Sequence, residues 1–526
     1  MAVCDQLCTG VLLVPEREIW LLSSCIGQTA VVEARNLREA GHACSAAEAD
    51  RAYPSLGYAH VRRRCTWAAR AVALLLFLGL VPISTVQAQG TPTPSPQSPS
   101  ETSVSAPPVA EAMPEAYAAH VQLGGIIQYH PAFRSSYRGP QSLDPGSRGN
   151  EAALVTGFFG LRPWKGAEVW VNPEVDQGFG LSNTLGLAGF PNALSSRVGS
   201  AEPYVRLHRV FVRQTIGLDG GIERIRPDLN VLGGSLAANR VVLTIGKFGV
   251  TDIFDTNKYA HDPRSDFLNW TIVDAGAFDY AADAWGYAYG ASVEWYQDWW
   301  TLRTGYFNES RVPNGQALET GIGRQYQLLL EAEERHEVFG QPGKLKLMLF
   351  SARNRSAKFS DAIAFGRATG GSADESAIRH LRNRTGAALN LEQQLTADLG
   401  LFARLSLAEG GIAPYEYTDV DQSVSVGLSL GGTRWGRPGD TVGLAGAVNF
   451  ISRRHKDYLR AGGLGILVGD GQLPNSGSER IIEIYYSLSA FTFAKLSFNY
   501  QFVNNPAYNR DRGPVSIFAV RLNAQF

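Results

Sequence analysis

Residues 514–526 read PVSIFAVRLNAQF and alternate with a period of two. Phe518, Val520, Leu522, Ala524 and Phe526 point one way, and Ala519, Arg521, Asn523 and Gln525 the other, because successive side chains of a strand face opposite sides of a sheet. A row holding Arg, Asn and Gln requires water, so the apolar row faces lipid or a core. The same arithmetic works upstream. Trp285, Tyr287, Tyr289, Ala291, Val293 and Trp295 oppose Gly286, Ala288, Gly290, Ser292 and Glu294. Val424, Val426, Leu428 and Leu430 oppose Ser423, Ser425, Gly427 and Ser429, and Leu345, Leu347 and Leu349 oppose Lys344, Lys346 and Met348.

Extending this reading predicts strands near 119–129, 151–161, 166–175, 203–217, 240–249, 284–296, 299–308 and 323–335. The remainder fall near 343–352, 384–396, 399–409, 421–432, 440–451, 479–491, 493–503 and 514–526. That is about sixteen strands near the length a tilted membrane strand needs. The 203–217 strand loses alternation near Arg209, as at a bulge. If the first strand rises from the periplasm, the outer loops are long and the inner turns short, with 218–239 the exception. A soluble sandwich has no reason to alternate in this way. The fold class is therefore all-β, a transmembrane antiparallel β-barrel with short periplasmic turns and long outer loops.

Composition agrees. The chain has 56 Gly and only 18% charged residues, against roughly a quarter in ordinary domains. All five cysteines lie within the first 65 residues, which argues against a disulfide framework in the barrel. Arg62–Arg64 and Arg70, the apolar run 71–81 and the Val86-Gln87-Ala88 motif have the form of a secretory signal. Residues 61–88 are thus expected to be a signal peptide and 1–60 a gene-model extension ahead of a start near Val61. A Pro/Ser/Thr-rich periplasmic tether follows over 89–120, with the barrel at 121–526. Eight of 48 Lys/Arg and seven of 49 Asp/Glu precede residue 89. The remaining 40 and 42 nearly balance, which argues against nucleic acid as a partner.

No G-x-S-x-G, P-loop, H-E-x-x-H or strand-following G-x-G-x-x-G is present, so no catalytic residue, metal ligand or cofactor is predicted. His208 and His261 read as lining or loop residues. Asp419 and Asp421 lack the glycine and distal Glu of a calcium loop. The lumen remains. A sixteen-stranded barrel holds an aqueous channel, and its longest loop, 250–283, is the candidate constriction. Asp255, Asn257, Lys258, Tyr259, Asp262, Arg264, Asp266, Asn269 and Trp270 crowd together in it. Carboxylates, amides and Arg pair with hydroxyls, while aromatic rings stack on sugar faces. Glu168, Asn172 and Glu174, with Arg206 and Arg213, are expected to line the lumen beside this loop as opposed acidic and basic walls. The plainer reading is that Phe254, Phe267 and Trp270 only anchor the loop to the barrel. A lipid-hydrolysing barrel would need a Ser–His pair at the lipid boundary, and a purely structural barrel would fill its lumen.

Three stretches are distinctive: NPEVDQGFGLSNTLGLAGFPN (172–192), GKFGVTDIFDTNKYAHDPRSDFLNW (246–270) and FDYAADAWGYAYGASVEWY (278–296). With the closing residues 500–526 they resemble the carbohydrate-selective porins of the OprB type. The resemblance implies a cofactor-free outer-membrane porin of a Gram-negative bacterium that passes mono- and oligosaccharides by facilitated diffusion. A general diffusion porin, or a channel for another small polar solute, is the alternative. The implied partners are carbohydrate solutes, outer-membrane lipid and lipopolysaccharide, and the barrel-assembly machinery reading Phe526. Such a barrel stands as a monomer or homotrimer.

Overall fold

The computed structural model describes residues 114–194 and 199–526. The proposed extension, the signal peptide, the cysteines and the tether up to residue 113 lie outside the described residues. The barrel begins at β1 (Tyr117–His130), so the boundary expected after residue 120 falls after 116. Next come β2 (Arg148–Leu161), β3 (Ala167–Gly178) and β4 (Ser200–Gly217). A small hairpin, β5 (Ile222–Ile225) and β6 (Gly234–Ala237), forms its own two-stranded sheet and accounts for the one long inner connection. Then follow β7 (Arg240–Phe248), β8 (Ala288–Tyr296), β9 (Trp300–Asn308), β10 (Tyr326–Val338) and β11 (Gln341–Ser356). The chain continues through β12 (His380–Gln394), β13 (Leu399–Ala408), β14 (Gln422–Gly431) and β15 (Thr441–Phe450). It ends with β16 (Glu479–Phe491), β17 (Ala494–Asn504) and β18 (Val515–Gln525).

Among the described residues, sixteen of these strands close one antiparallel barrel. Closure joins β1 to β18, with Ile126 opposite Arg521 and Gly124 opposite Asn523. Closure removes the unpaired edge that hydrocarbon would leave unsatisfied. The parity read from sequence is the parity of the barrel. Leu347 is 50% exposed on the lipid side, while Lys346 and Met348 are buried in the interior. Exposed aromatics mark the inner rim, where Phe493 stacks on Phe491 at 5.4 Å and packs at a tilt against Phe526 at 5.1 Å. Tyr306 and Tyr326 stack at 5.3 Å near the outer rim. Amphipathic rings at both boundaries form the belts that seat a membrane protein. No helix among the described residues is long and apolar enough to cross a membrane. Three helices lie in outer loops: α1 (Trp270–Val273), α2 (Phe359–Thr369) and α3 (Arg453–Arg460).

Two local departures have physical causes. The strand expected from residue 284 starts at Ala288, because the Asp283 carboxylate accepts the N–H groups of Trp285 and Tyr287 and draws them out of the ladder. The lost alternation near Arg209 is a bulge. Asn172 pairs with Arg209 but Pro173 pairs with Leu207, so His208 is the extra residue. Pro173 has no N–H to give the ladder, and such a position suits a break in pairing. As a result His208 and Arg209 both turn inward, between the lipid-facing Leu207 and Val210.

Candidate functional site

The 249–287 connection folds into the lumen and lies along the interior of β10 to β18. Inward-facing polar residues of those strands seize its backbone. Glu331 accepts the N–H of Asp255 at 2.8 Å, and Glu392 that of Lys258 at 2.8 Å. Glu483 accepts the N–H groups of Leu268 and Asn269 at 2.7 and 2.9 Å. Arg404, 2% exposed, bonds the Asp255 carboxylate at 3.2 Å and the carbonyls of Ala260 and Ile272 at 2.8 and 2.9 Å. Arg521 donates to the carbonyls of Pro263 and Asp266. Bonds of this kind to a charged group contribute about 1.5–3 kcal/mol each.

Aromatic packing fixes the same path. Phe267 packs against Tyr485 and Phe402, with ring centroids at 4.9 and 5.5 Å. The Tyr259 ring lies over Gly400, where any Cβ would approach it to 2.0 Å, so only glycine admits the loop there. Asn269 caps α1 by accepting the Thr271 N–H at 3.1 Å. Residues 179–194 are drawn in as well: Phe190 stacks on Trp270 at 5.4 Å, and Glu479 accepts the N–H groups of Ala188 and Gly189.

The other side of the loop faces β3 and β4. Here Glu168 bonds Arg213 at 3.1 Å and Trp170 Nε1 at 3.0 Å. The Arg206 guanidinium lies 3.7 Å above the Trp285 ring. Arg209 grips Asp252 at 2.6 and 2.7 Å and sits 4.9 Å over Tyr287. Arg264 reaches from the loop to Glu174 at 3.3 Å. Burial opposes the charge of Arg264, but the carboxylates of Glu174 and Asp262 outweigh it and raise its pKa. Burial likewise opposes charge on His261, yet Asp274 beside it raises its pKa.

The residues singled out in the sequence fall into two groups. Glu168, Arg206, Arg213, Lys258, Tyr259, Asp262, Arg264 and Asp266 keep some exposure inside the barrel. Asp255, Asn257, Asn269 and Trp270 do not: they are buried between loop and wall, holding the loop in place. Asn172 and Glu174 are buried as well, although Glu174 meets the loop through Arg264. The expected opposition of acidic and basic walls is replaced by pairing within one wall. Glu168 faces Arg213, and Glu174 faces Arg206, as direct cross-strand partners of β3 and β4. Of these, Glu168 and Arg213 bond at 3.1 Å, whereas the ionic partners of Glu174 are His208 and Arg264. Sequence reasoning missed Arg209, Asp252 and Asp176; for Arg209 the signal was the broken alternation itself.

The profile described as carbohydrate-selective porin, OprB family, matches residues 160–526. The high-pH structure of Pseudomonas putida OprB is similar in fold, with a TM-score of 0.60 at 16% identity, covering 78% of this chain and 94% of that one. The low-pH structure of the same protein gives 0.42 at 13% identity, over 78% and 93% of the two chains. The outer membrane channel DcaP of Acinetobacter baumannii gives 0.43 at 11% identity, over 78% and 97%. No curated protein matches the chain in sequence.

Proposed function

This chain belongs to the OprB family of carbohydrate-selective porins, and from that premise we propose that sugars pass between the β3–β4 wall and the free side of the 249–287 loop. The protein is a carbohydrate porin of the Gram-negative outer membrane. The observation that carries the route is Arg206 stacked 3.7 Å above Trp285, with the Glu168–Arg213 pair six rungs further along the same wall. A sugar is a neutral polyol with an apolar ring face. It asks for bidentate donors, carboxylate acceptors and aromatic surfaces along its path. Each contact is individually weak against water, and passage needs weak, repeated binding rather than one tight site. The candidate lining is Glu168, Arg206, Arg213, Asp262, Arg264 and Asp266, with Lys258 and Tyr259 lower down. No reaction step is assigned to any of them. Phe526, 58% exposed and packed at a tilt against Phe493, supports the reading of this aromatic as the barrel-assembly signal.

Liposome swelling with sugars and amino acids of matched size tests the reading. Monosaccharides should permeate fastest. Equal permeation by all small solutes would favour a general diffusion porin, and no permeation would remove the pore.

A further inference from the structure

We propose that Glu174, Asp176 and His208 form a binding site for a divalent transition-metal cation of the zinc type in the channel wall. The three donor atoms lie within 4.8 Å of one another. His208 Nε2 is 3.3 Å from Glu174 Oε1 and 3.2 Å from Asp176 Oδ2. A tetrahedral zinc with bonds near 2.0–2.2 Å places neighbouring ligand atoms about 3.3–3.6 Å apart, close to both histidine–carboxylate separations. One imidazole and two carboxylates leave a fourth position for water, the composition of an open rather than a structural site. The imidazole selects transition metals over magnesium and calcium, which take oxygen ligands.

The strands build this site by a specific device. Glu174 and Asp176 are two apart on β3 and share its inward face. His208 is the additional residue of the bulge opposite Pro173, unpaired in the ladder, and it faces inward beside Arg209. Bulges are known to re-aim side chains in this way. The donors are also held in orientation. Thr156 Oγ1 donates to Glu174 Oε2, and Arg264 reaches the same oxygen at 3.3 Å, which leaves Oε1 turned toward the histidine. The His208 ring stacks on Tyr287 at 4.4 Å and 18°, which fixes its plane. Outer contacts of this kind orient metal ligands and sustain affinity. Asp176 is the most exposed of the three, its side chain 17% accessible against 5% for Glu174 and 2% for His208, and it provides the approach.

The site lies on the proposed sugar route, so its effect on current rests on that reading, whereas binding itself does not. The test is calorimetric titration of the purified, full-length protein with zinc chloride, paired with single-channel recording. One zinc per chain should bind, and zinc should reduce the current reversibly, with chelator restoring it. His208→Gln should weaken binding at least about 100-fold, the upper end of what loss of outer contacts alone costs, and abolish the block. Asp176→Asn, at the exposed corner, should weaken binding about 10-fold. It serves as the folded control if the histidine variant fails to assemble. Absence of zinc binding by the wild type, or equal binding by both variants, would overturn the site. Sugar permeation into metal-free liposomes is read separately, so loss of one result leaves the other interpretable.

Discussion

The two halves of the lumen carry the same residue types on the same strand parity and use them differently. Under the inward loop, Glu331, Glu392, Glu483 and Arg404 are buried and spend their hydrogen bonds on loop backbone. Across from it, Glu168 pairs with Arg213, Arg206 stacks on Trp285, and all three keep contact with the lumen. The difference is what covers them. A carboxylate buried against a chain segment must find donors or lose several kcal/mol, and loop N–H groups supply them. A carboxylate left in the channel keeps its exchange with water and solutes. Inward charge in a barrel therefore signals permeation only where no loop lies upon it.

The sharpest way to break this comparison is to cut an anchor. Arg404→Ala removes the guanidinium from Asp255, which is 1% exposed, and frees carbonyls that it holds at Ala260 and Ile272. Removing one partner of a buried ion pair costs roughly 3–5 kcal/mol. The expected result is loop release: a several-fold larger single-channel current and new protease cleavage between residues 255 and 270, with the barrel still assembled. Wild-type current and cleavage would mean that the loop is not held by this wall.

On the open side, Arg264→Ala should act on ions and leave the fold intact. The guanidinium is largely buried and linked to Glu174 at 3.3 Å, and Glu174 keeps Thr156 and His208 as partners when it is removed. Removing one positive charge from the route should shift reversal potentials toward cation preference and change conductance less than Arg404→Ala does. Unaltered selectivity would remove the loop tip from the permeation path.

The barrel was legible because a strand's two faces are set by neighbours two residues apart. Val424 to Leu430 announce lipid without reference to any distant residue. The constriction was not legible in this way. Asp255 and Asp262 look alike in the loop sequence, yet one is buried beneath Arg404 and the other keeps exposure, a distinction decided by a contact 149 positions along the chain. Trp285 and Tyr287 misled for the opposite reason. They continue the alternation of β8 perfectly, but Asp283 captures their N–H groups and ends the strand. His208 marks the boundary between the two kinds of information: the broken pattern showed where the bulge lies, and only the register showed which residue is the unpaired one.

The smallest effect separates the outer loops from both lumen walls. Glu309, just past β9, is fully buried beside Glu416, whose carboxyl accepts the Ser310 N–H and hydroxyl at 2.9 and 2.8 Å. Burial pushes the Glu309 pKa up to about 8, and burial together with Glu309 raises that of Glu416 as well. In the unfolded chain both groups titrate near the ordinary carboxylate value. The folded loops therefore bind more protons than the unfolded chain between that value and about pH 8, and stability must fall as pH rises through this window. The loops are expected to be most protected from protease near pH 5 and least near pH 8. Glu309→Gln, which keeps the shape and cannot ionise, should flatten that dependence while leaving the barrel's thermal stability and the Arg404 phenotype unchanged. A pH profile identical to that of the wild type would show that the protons are held elsewhere.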